Sequence, residues 1–247
     1  MEPKPYILIT GASSGIGRHL AVVLSHDHNL IIQGTDISRL KETQRMCEEH
    51  SSVIEWLCDF TTDGSIADNL TELISSLKIS VEGFIHCAGI VGMKPARLIN
   101  PVDIRISFAI NTFSAIEISS VLIRKKINGP SLKNILFMSS IRTHQGESGY
   151  ALYASSKGAL EALGRSLAVE LAPQIKVNTL VMGAVNTPMA KDYFSNPELM
   201  NKAINEYPLG LGSVEDIAGI VSFLLSSNSR WITGQSFFVD GGKAIKY

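Results

Sequence analysis

The sequence predicts a doubly wound α/β fold, a seven-stranded and mainly parallel sheet with helices on both faces. Three observations carry that reading. Short apolar runs bounded by turn residues alternate with longer stretches of helical period, the pattern of parallel strands joined by crossover helices. Most of the runs are apolar at successive positions, as strands covered on both faces must be. The 247 residues suffice for one large α/β unit, and no repeat, low-complexity tract or linker divides them, so residues 1–247 read as one domain.

In order, Tyr6 to Thr10 forms the first strand, and Ile16, Leu20, Val23 and Leu24 behind it recur at the spacing of one helix face. A strand at Leu30 to Gln33 leads to a helix from Ser38, a fitting N-cap, to His50. The strand Val53 to Cys58 is followed by a helix from Asp63 to Leu77 and by the strand Gly83 to Cys87. One long helix runs from Val102 to Ile127, ahead of the strand Asn134 to Ser139. Tyr150 to Leu171 forms another, closed by Pro173, and the strands Ile175 to Met182 and Ser236 to Val239 complete the sheet. Between Asn186 and Pro208 the rhythm breaks: Pro188, Pro197 and Pro208 stand among Met189, Tyr193, Phe194 and Met200. A partly helical segment placed there, after a strand end, reads as a substrate lid.

Charge is balanced, 22 Lys plus Arg against 23 Asp plus Glu, so no chain-wide field favours nucleic acid or an anionic membrane. The expected partners are a small molecule and further copies of the chain. Cys47, Cys58 and Cys87 are odd in number and lack C-x-x-C spacing, which argues against a disulfide framework and a zinc site and suits a reducing compartment. With no metal site, signal peptide or run of about eighteen apolar residues evident, a cytoplasmic protein without a membrane span is expected.

Thr10-Gly11-Ala12-Ser13-Ser14-Gly15-Ile16-Gly17 follows the first strand directly and opens the first helix. Gly11 suits a sharp turn, Gly15 a close approach of backbone N–H groups to a pyrophosphate, and Gly17 close packing of helix on strand, with the helix dipole favouring the anion. The spacing is Gly-x-x-x-Gly-x-Gly, and a tight turn without a ligand would read the same. Tyr153 and Lys157 lie one helical turn apart and share a face. A free phenol titrates at about 10, and a nearby ammonium favours the phenolate, which suits Tyr153 to exchange a proton with a substrate oxygen. The alternative is a partly exposed Tyr beside a solvated Lys.

Ser139-Ser140 and Tyr153-Ala154-Ser155-Ser156-Lys157-Gly158-Ala159-Leu160, behind the Thr10 to Gly17 loop, resemble the short-chain dehydrogenase/reductase family in its single-domain branch. The likeness covers essentially the whole chain and extends to 3-oxoacyl-acyl-carrier-protein reductases. It implies a Rossmann-type fold and interconversion of a carbonyl and a secondary alcohol by hydride transfer with NAD(P). Within that scheme Tyr153 passes the proton, Ser140 hydrogen-bonds the substrate oxygen with Ser139 as the neighbouring candidate, and Lys157 orients the ribose and lowers the Tyr153 pKa. Asn111 falls where the family has an asparagine that kinks its helix and holds a relay water, whereas its plain reading is a satisfied core amide. The implied cofactor contacts are Gly11, Ser13, Ser14, Gly15, Ile16 and Gly17, then Thr35, Asp59 at the adenine, Ala88 and Gly89, Tyr153 and Lys157, and Gly183, Val185 and Thr187.

The chain departs from the family pattern in places. His86-Cys87-Ala88-Gly89 replaces Asn-Asn-Ala-Gly, and His86 reads as a hydrogen-bonding core residue or a titrating group beside the cofactor. Met182-Gly183 replaces Pro-Gly. An acid at the end of the second strand would bind a ribose 2′-hydroxyl and repel a 2′-phosphate, and Gly34 stands there. NADP is therefore expected, with Thr35 and Arg39 near its phosphate, and NAD is the alternative if Asp36 takes the acid's place.

The loop from Ile141 to Tyr150 should line the substrate pocket, where Arg142 and His144 either meet an anionic or hydroxylated substrate or are merely solvated. Met189, Tyr193 and Phe194 suggest an apolar wall opposite. Thioester, sugar, steroid and polyol enzymes share this likeness, so the substrate stays open. Trp231-Ile232-Thr233-Gly234-Gln235 and Val239-Asp240-Gly241-Gly242 resemble a subunit-interface region, implying a homotetramer or dimer. Two rivals are a sugar-modifying relative, which needs a different glycine spacing, and a silent nucleotide sensor, which has no physical need of Tyr153, Lys157, Ser140 and Asn111 together.

Overall fold

A computed structural model describes residues 5–62, 65–190 and 197–245. Strands β1 (Tyr6–Thr10), β2 (Asn29–Gly34), β3 (Val53–Leu57), β4 (Val81–His86), β5 (Asn134–Ser140), β6 (Lys176–Met182) and β7 (Ser236–Val239) form one seven-stranded sheet in the order β3-β2-β1-β4-β5-β6-β7. Every neighbouring pair is parallel. The helices are α1 (Gly15–Leu24), α2 (Ile37–Met46), α3 (Ile66–Leu77), α4 (Pro101–Phe108), α5 (Ser114–Ile123), α6 (Lys125–Asn128), α7 (Ala151–Leu171), α8 (Pro197–Glu206) and α9 (Glu215–Leu225).

Successive strand residues point to opposite faces, and here both faces are dry. Leu8, Ile31, Phe84, Ile135 and Phe137 pack with Leu70 and Ile74 of α3, Ile118 of α5 and Leu160 of α7. Their neighbours Ile7, Ile9, Leu30, Ile32, Ile85 and Leu136 pack on the other side with Leu20 of α1, Leu40 of α2, and Ile217 and Val221 of α9. Burying a side chain of this size is worth about 1.5–3 kcal/mol, which explains the unalternated runs. The chain winds outward from β1 to β3 and returns to β4 beside β1. The strand order thus reverses between β1 and β4, and the chains leaving their paired carboxyl ends diverge to open a crevice.

Several boundaries differ from expectation because side chains fix them. Asp36, not Ser38, caps α2: its carboxylate accepts the N–H groups of Ser38 (2.9 Å) and Arg39 (3.2 Å) and the Ser38 hydroxyl (2.6 Å). The same helix stops at Met46, and α3 starts at Ile66 behind the Ser65 cap; Asp63 lies outside the described residues. The helix expected over Val102 to Ile127 is interrupted twice. Asn100 and Asp103 form a capping box that starts it at Pro101, a π turn at Ala109–Phe113 separates α4 from α5, and Arg124 leaves helical geometry. Helix α9 was not anticipated, although Ile217, Val221 and Leu224 show the helical spacing that marks it. Of the lid segment, Pro188–Ala190 is a 3-10 turn and Pro197 begins α8, while Tyr193 and Phe194 lie outside the described residues.

One further expectation needs correcting. Pro101–Ile123 is long and apolar enough to cross a membrane, with a mean hydropathy of 1.6 over its most apolar window. Half of that window is buried, because α4, the π turn and α5 lie against α3 and α7 as core elements of the fold.

Candidate active site

The Thr10 to Gly17 loop is braced by side chains of β2, α1 and α2. Gln33, at the end of β2, accepts the Gly11 N–H on Oε1 (3.0 Å) and the Ala12 N–H on its main-chain oxygen (2.9 Å), and its Nε2 reaches Cys58 O (2.6 Å). Thr43 donates to Ala12 O (2.9 Å), and Arg18 to Ser13 O (2.6 Å). With those carbonyls engaged on the far side and no side-chain cap from Ser14, the first-turn amides of α1 are presented to the crevice. Gly11 has φ +65°, and a Cβ there would lie 2.8 Å from the Ala88 backbone; a Cβ on Gly17 would lie 2.5 Å from Gly11 O. The loop is thus shaped around a backbone approach that only glycine permits.

This loop lines a cleft of about 290 Å³. Gly11, Ser13, Ser14, Gly15, Ile16 and Gly17 form one wall, and Thr35, Asp59, Ala88, Gly89, Tyr153, Lys157 and Thr187 complete the expected set. Gly183 and Val185 fall instead on an adjoining cleft of about 210 Å³, which also holds Ser140, Arg142 and Tyr150. Tyr153, Ser139, Met182, Thr187 and Met189 border both clefts, so the two are continuous. Gln33, Phe60, Cys87, Ile90 and Met138 also line the first, and Tyr207 the second, none of them picked out from sequence. Their motifs are ordinary apolar or loop residues that only the fold brings together. A dinucleotide fits the donor set: glycine-lined amides for the pyrophosphate, hydroxyls of Ser13 and Thr35 toward the ribose, and Lys157 at the inner end. At the ribose end, Gly34 and Thr35 face the cleft, whereas Asp36 and Arg39 do not line it.

At the end of β4, His86 is fully buried. Thr10 Oγ1 accepts the Ala88 N–H (3.1 Å) and lies 2.9 Å from His86 Nδ1, so the ring ties β1 to β4 under the crevice. Burial, followed by the Lys157 charge, lowers its pKa to about 3. His86 is therefore a neutral core residue and not a titrating partner of the cofactor. The unfolded chain takes up a proton at this imidazole below 6.5 and the folded chain does not until about 3, so stability is lost as the pH falls through that window. At pH 5 the loss due to His86 amounts to about 2 kcal/mol. A His86→Asn variant should show a flatter acid limb in urea denaturation between pH 7 and pH 5; equal acid losses in variant and parent would contradict this.

Two consecutive serines at the end of β5 point in opposite directions, which separates the two candidates. Ser139 is buried, donating to Glu161 Oε1 (2.7 Å). Ser140 faces the second cleft beside Tyr153, near enough for its side chain to favour the phenolate. Lys157 is buried and donates to Met138 O (2.9 Å), and burial lowers its pKa to about 8. The expected pull of Lys157 on Tyr153 is not what this geometry shows. Burial raises the Tyr153 pKa, opposed by the Ser140 side chain and by the positive charge of Arg142.

Asn111 sits in the π turn with its amide fully engaged. Oδ1 accepts the Ile90 N–H (2.8 Å), and Nδ2 donates to Ile90 O (3.1 Å) and Ser156 Oγ (2.9 Å). It lines neither cleft and instead fixes the backbone after Gly89 against α7. Sequence reasoning also missed Glu161, one turn beyond Lys157. Its buried carboxylate accepts from Ser139, from Thr143 (2.5 Å) and from His144 Nε2 (2.9 Å). Thr143 Oγ1 also lies 2.7 Å from Ser140 O and shares its single proton between the two acceptors, so Glu161 anchors the turn that carries Ser140. His144 thereby faces Glu161 and Phe238, away from the clefts, while Arg142 faces in.

Comparison with known proteins agrees with this arrangement. The profile of a family described as enoyl-(acyl carrier protein) reductase matches residues 11–244. The chain belongs to the short-chain dehydrogenase/reductase family. This short-chain dehydrogenase/reductase is 30% identical to D-erythrulose reductase of Gallus gallus over 237 residues, which cover 95% of this chain and 94% of that protein. It is 28% identical to L-xylulose reductase of Bos taurus, with the same coverage. Among solved structures, 4-hydroxyisoleucine dehydrogenase complexed with NADH superimposes with a TM-score of 0.90 at 25% identity, covering 98% of this chain and 100% of that one. The protein is accordingly an NAD(P)-dependent oxidoreductase acting on carbonyl and alcohol groups.

Proposed function

We propose that this enzyme is an NADPH-dependent reductase of a small carbonyl compound, with Tyr153 as proton donor. The observation that carries the reading is the meeting of Tyr153 and Ser140 where the glycine-walled cleft opens into the second cleft. When bound, the nicotinamide cofactor supplies the hydride. Ser140 holds the substrate oxygen beside the Tyr153 hydroxyl, so the negative charge that develops there is met by a donor and then by a proton. Lys157, fixed by Met138 O, holds the ribose at the inner end. The loop residues Gly11 to Gly17, with Ser13 and Ser14, take the pyrophosphate, Asp59 the adenine, Ala88 and Gly89 the ribose edge, and Val185 and Thr187 the carboxamide. Gly183 allows the chain to pass close to Tyr207. Asn111 acts as a positioning residue, holding Ile90 and the strand end, since its amide has no free reach to the substrate.

The preference for NADPH rests on the end of β2. Gly34 carries no carboxylate there, and the Asp36 carboxylate is committed to the first turn of α2. Thr35 is left to donate to a 2′-phosphate. Relatives named as reductases support the reductive direction. A cytoplasmic homotetramer or dimer, built from one domain with a lid over 186–208, is part of the same reading; Trp231, 91% exposed, and Val169, 84% exposed, support association. Absorbance at 340 nm with small diketones and hydroxyketones should show kcat/KM for NADPH at least about tenfold above that for NADH. Equal efficiency with both would overturn the cofactor assignment.

A further inference from the structure

Among the described residues that line the second cleft, Arg142 carries the only formal charge. It stands two residues after Ser140, in the 3-10 turn Ile141–Thr143, and its backbone N–H donates to Ser140 Oγ (3.3 Å). The side chain is 17% exposed, so it is not a solvated loop cation. Its guanidinium lies over the Tyr150 ring, 4.9 Å from the centroid, and that ring meets the Tyr153 ring edge-on at 6.3 Å. Glu147, outside the cleft, pairs with Nη1 and offsets part of its charge.

A guanidinium held in this way is pre-organised: one face is stacked, one nitrogen is anchored, and further N–H donors of the planar fork remain for a ligand. The fork matches a carboxylate in two parallel hydrogen bonds, and a partly dry site strengthens the pair. One cation in a cleft of about 210 Å³ suits one carboxylate; a phosphate dianion would meet too little positive charge there.

We propose that the substrate is a short-chain keto acid whose carboxylate is gripped by Arg142 while its carbonyl lies between Ser140 and Tyr153. This rests on the reductase reading above. The carbonyl carbon takes a hydride from NADPH, which leaves as NADP⁺, and the oxygen takes the Tyr153 proton, later restored from water. A hydroxy acid results, with the carboxylate unchanged.

The test pairs 2-, 3- and 4-keto acids with their methyl esters, assayed with NADPH on the parent enzyme and on Arg142→Gln and Arg142→Lys. The expected result is a kcat/KM for one acid at least about tenfold above its ester in the parent. In Arg142→Gln that preference should collapse, mainly through KM for the acid, with Arg142→Lys in between. Calorimetric binding of the matching hydroxy acid to the NADP⁺ complex should weaken in the same order. Esters or uncharged diketones turned over as well as the acids would overturn the carboxylate assignment and leave the reductase reading intact, as would an Arg142→Gln variant that depresses acid and ester equally. No NADPH oxidation with any carbonyl, by a folded parent that binds the cofactor, would overturn both.

Discussion

Replacing Tyr153 by Phe is expected to lower kcat by about 10²- to 10⁴-fold, with cofactor affinity little changed. The ring stays, so its packing against Tyr150 and the shape of the cleft stay with it. What goes is the O–H beside Ser140 at the junction of the two clefts. Burial raises its pKa above the ordinary phenol value, so Tyr153 is protonated at neutral pH and enters the reductive reaction as an acid. Loss of an interaction made mainly in the transition state lowers kcat and kcat/KM together. Steady-state kinetics with one accepted ketone, beside a titration of NADPH, separates this from a folding defect. Turnover within a few-fold of the parent would remove Tyr153 from the chemistry.

Gly17→Ala should weaken cofactor binding. The added Cβ would stand 2.5 Å from Gly11 O, 2.8 Å from Gly11 C and 3.1 Å from Ala12 Cα, all backbone atoms. Those atoms cannot retreat without breaking the Gln33 and Thr43 bonds that hold the turn. Overpacking of this kind costs about 1–3 kcal/mol, and here the strain falls on the amides that would face the pyrophosphate. The NADPH Kd should therefore rise by about tenfold or more, with a lower Tm. An unchanged Kd in a variant of parental stability would show that the loop does not cradle the phosphates.

The sheet was legible because each strand is buried on both faces and therefore reads as an unbroken apolar run. Helix ends were less so, since caps are set by single side chains: Ser38 looks as good an N-cap as Asp36 until the carboxylate is seen accepting both amides. The π turn at Asn111 shows in no local pattern, and only the family resemblance implies a kink there. Its extra residue lets Asn111 and Thr112 satisfy Ile90 and Ser156 together, and both partners are distant in sequence. In the site, spacing places the glycine loop ahead of the first helix and Tyr153 and Lys157 on one helix face, and the family resemblance supplies their roles. What spacing could not show is direction. Ser139 and Ser140, like Arg142 and His144, look equivalent in the sequence, yet Glu161 takes the Ser139 hydroxyl and the His144 ring and leaves the Ser140 hydroxyl and Arg142 to the cleft. Helical spacing likewise puts Lys157 beside Tyr153, whereas the positive charge that acts on the phenol comes from Arg142.

The central claim is that this fold holds a carbonyl against Tyr153 and Ser140 for reduction by NADPH. The most direct measurement uses NADPH deuterated at nicotinamide C4, with mass spectrometry of the product. The account predicts that one of the two C4-labelled epimers delivers a single deuterium to the carbinol carbon, with matching loss of absorbance at 340 nm. An alcohol free of deuterium from both epimers, or bound cofactor that is never consumed by any ketone, would contradict it.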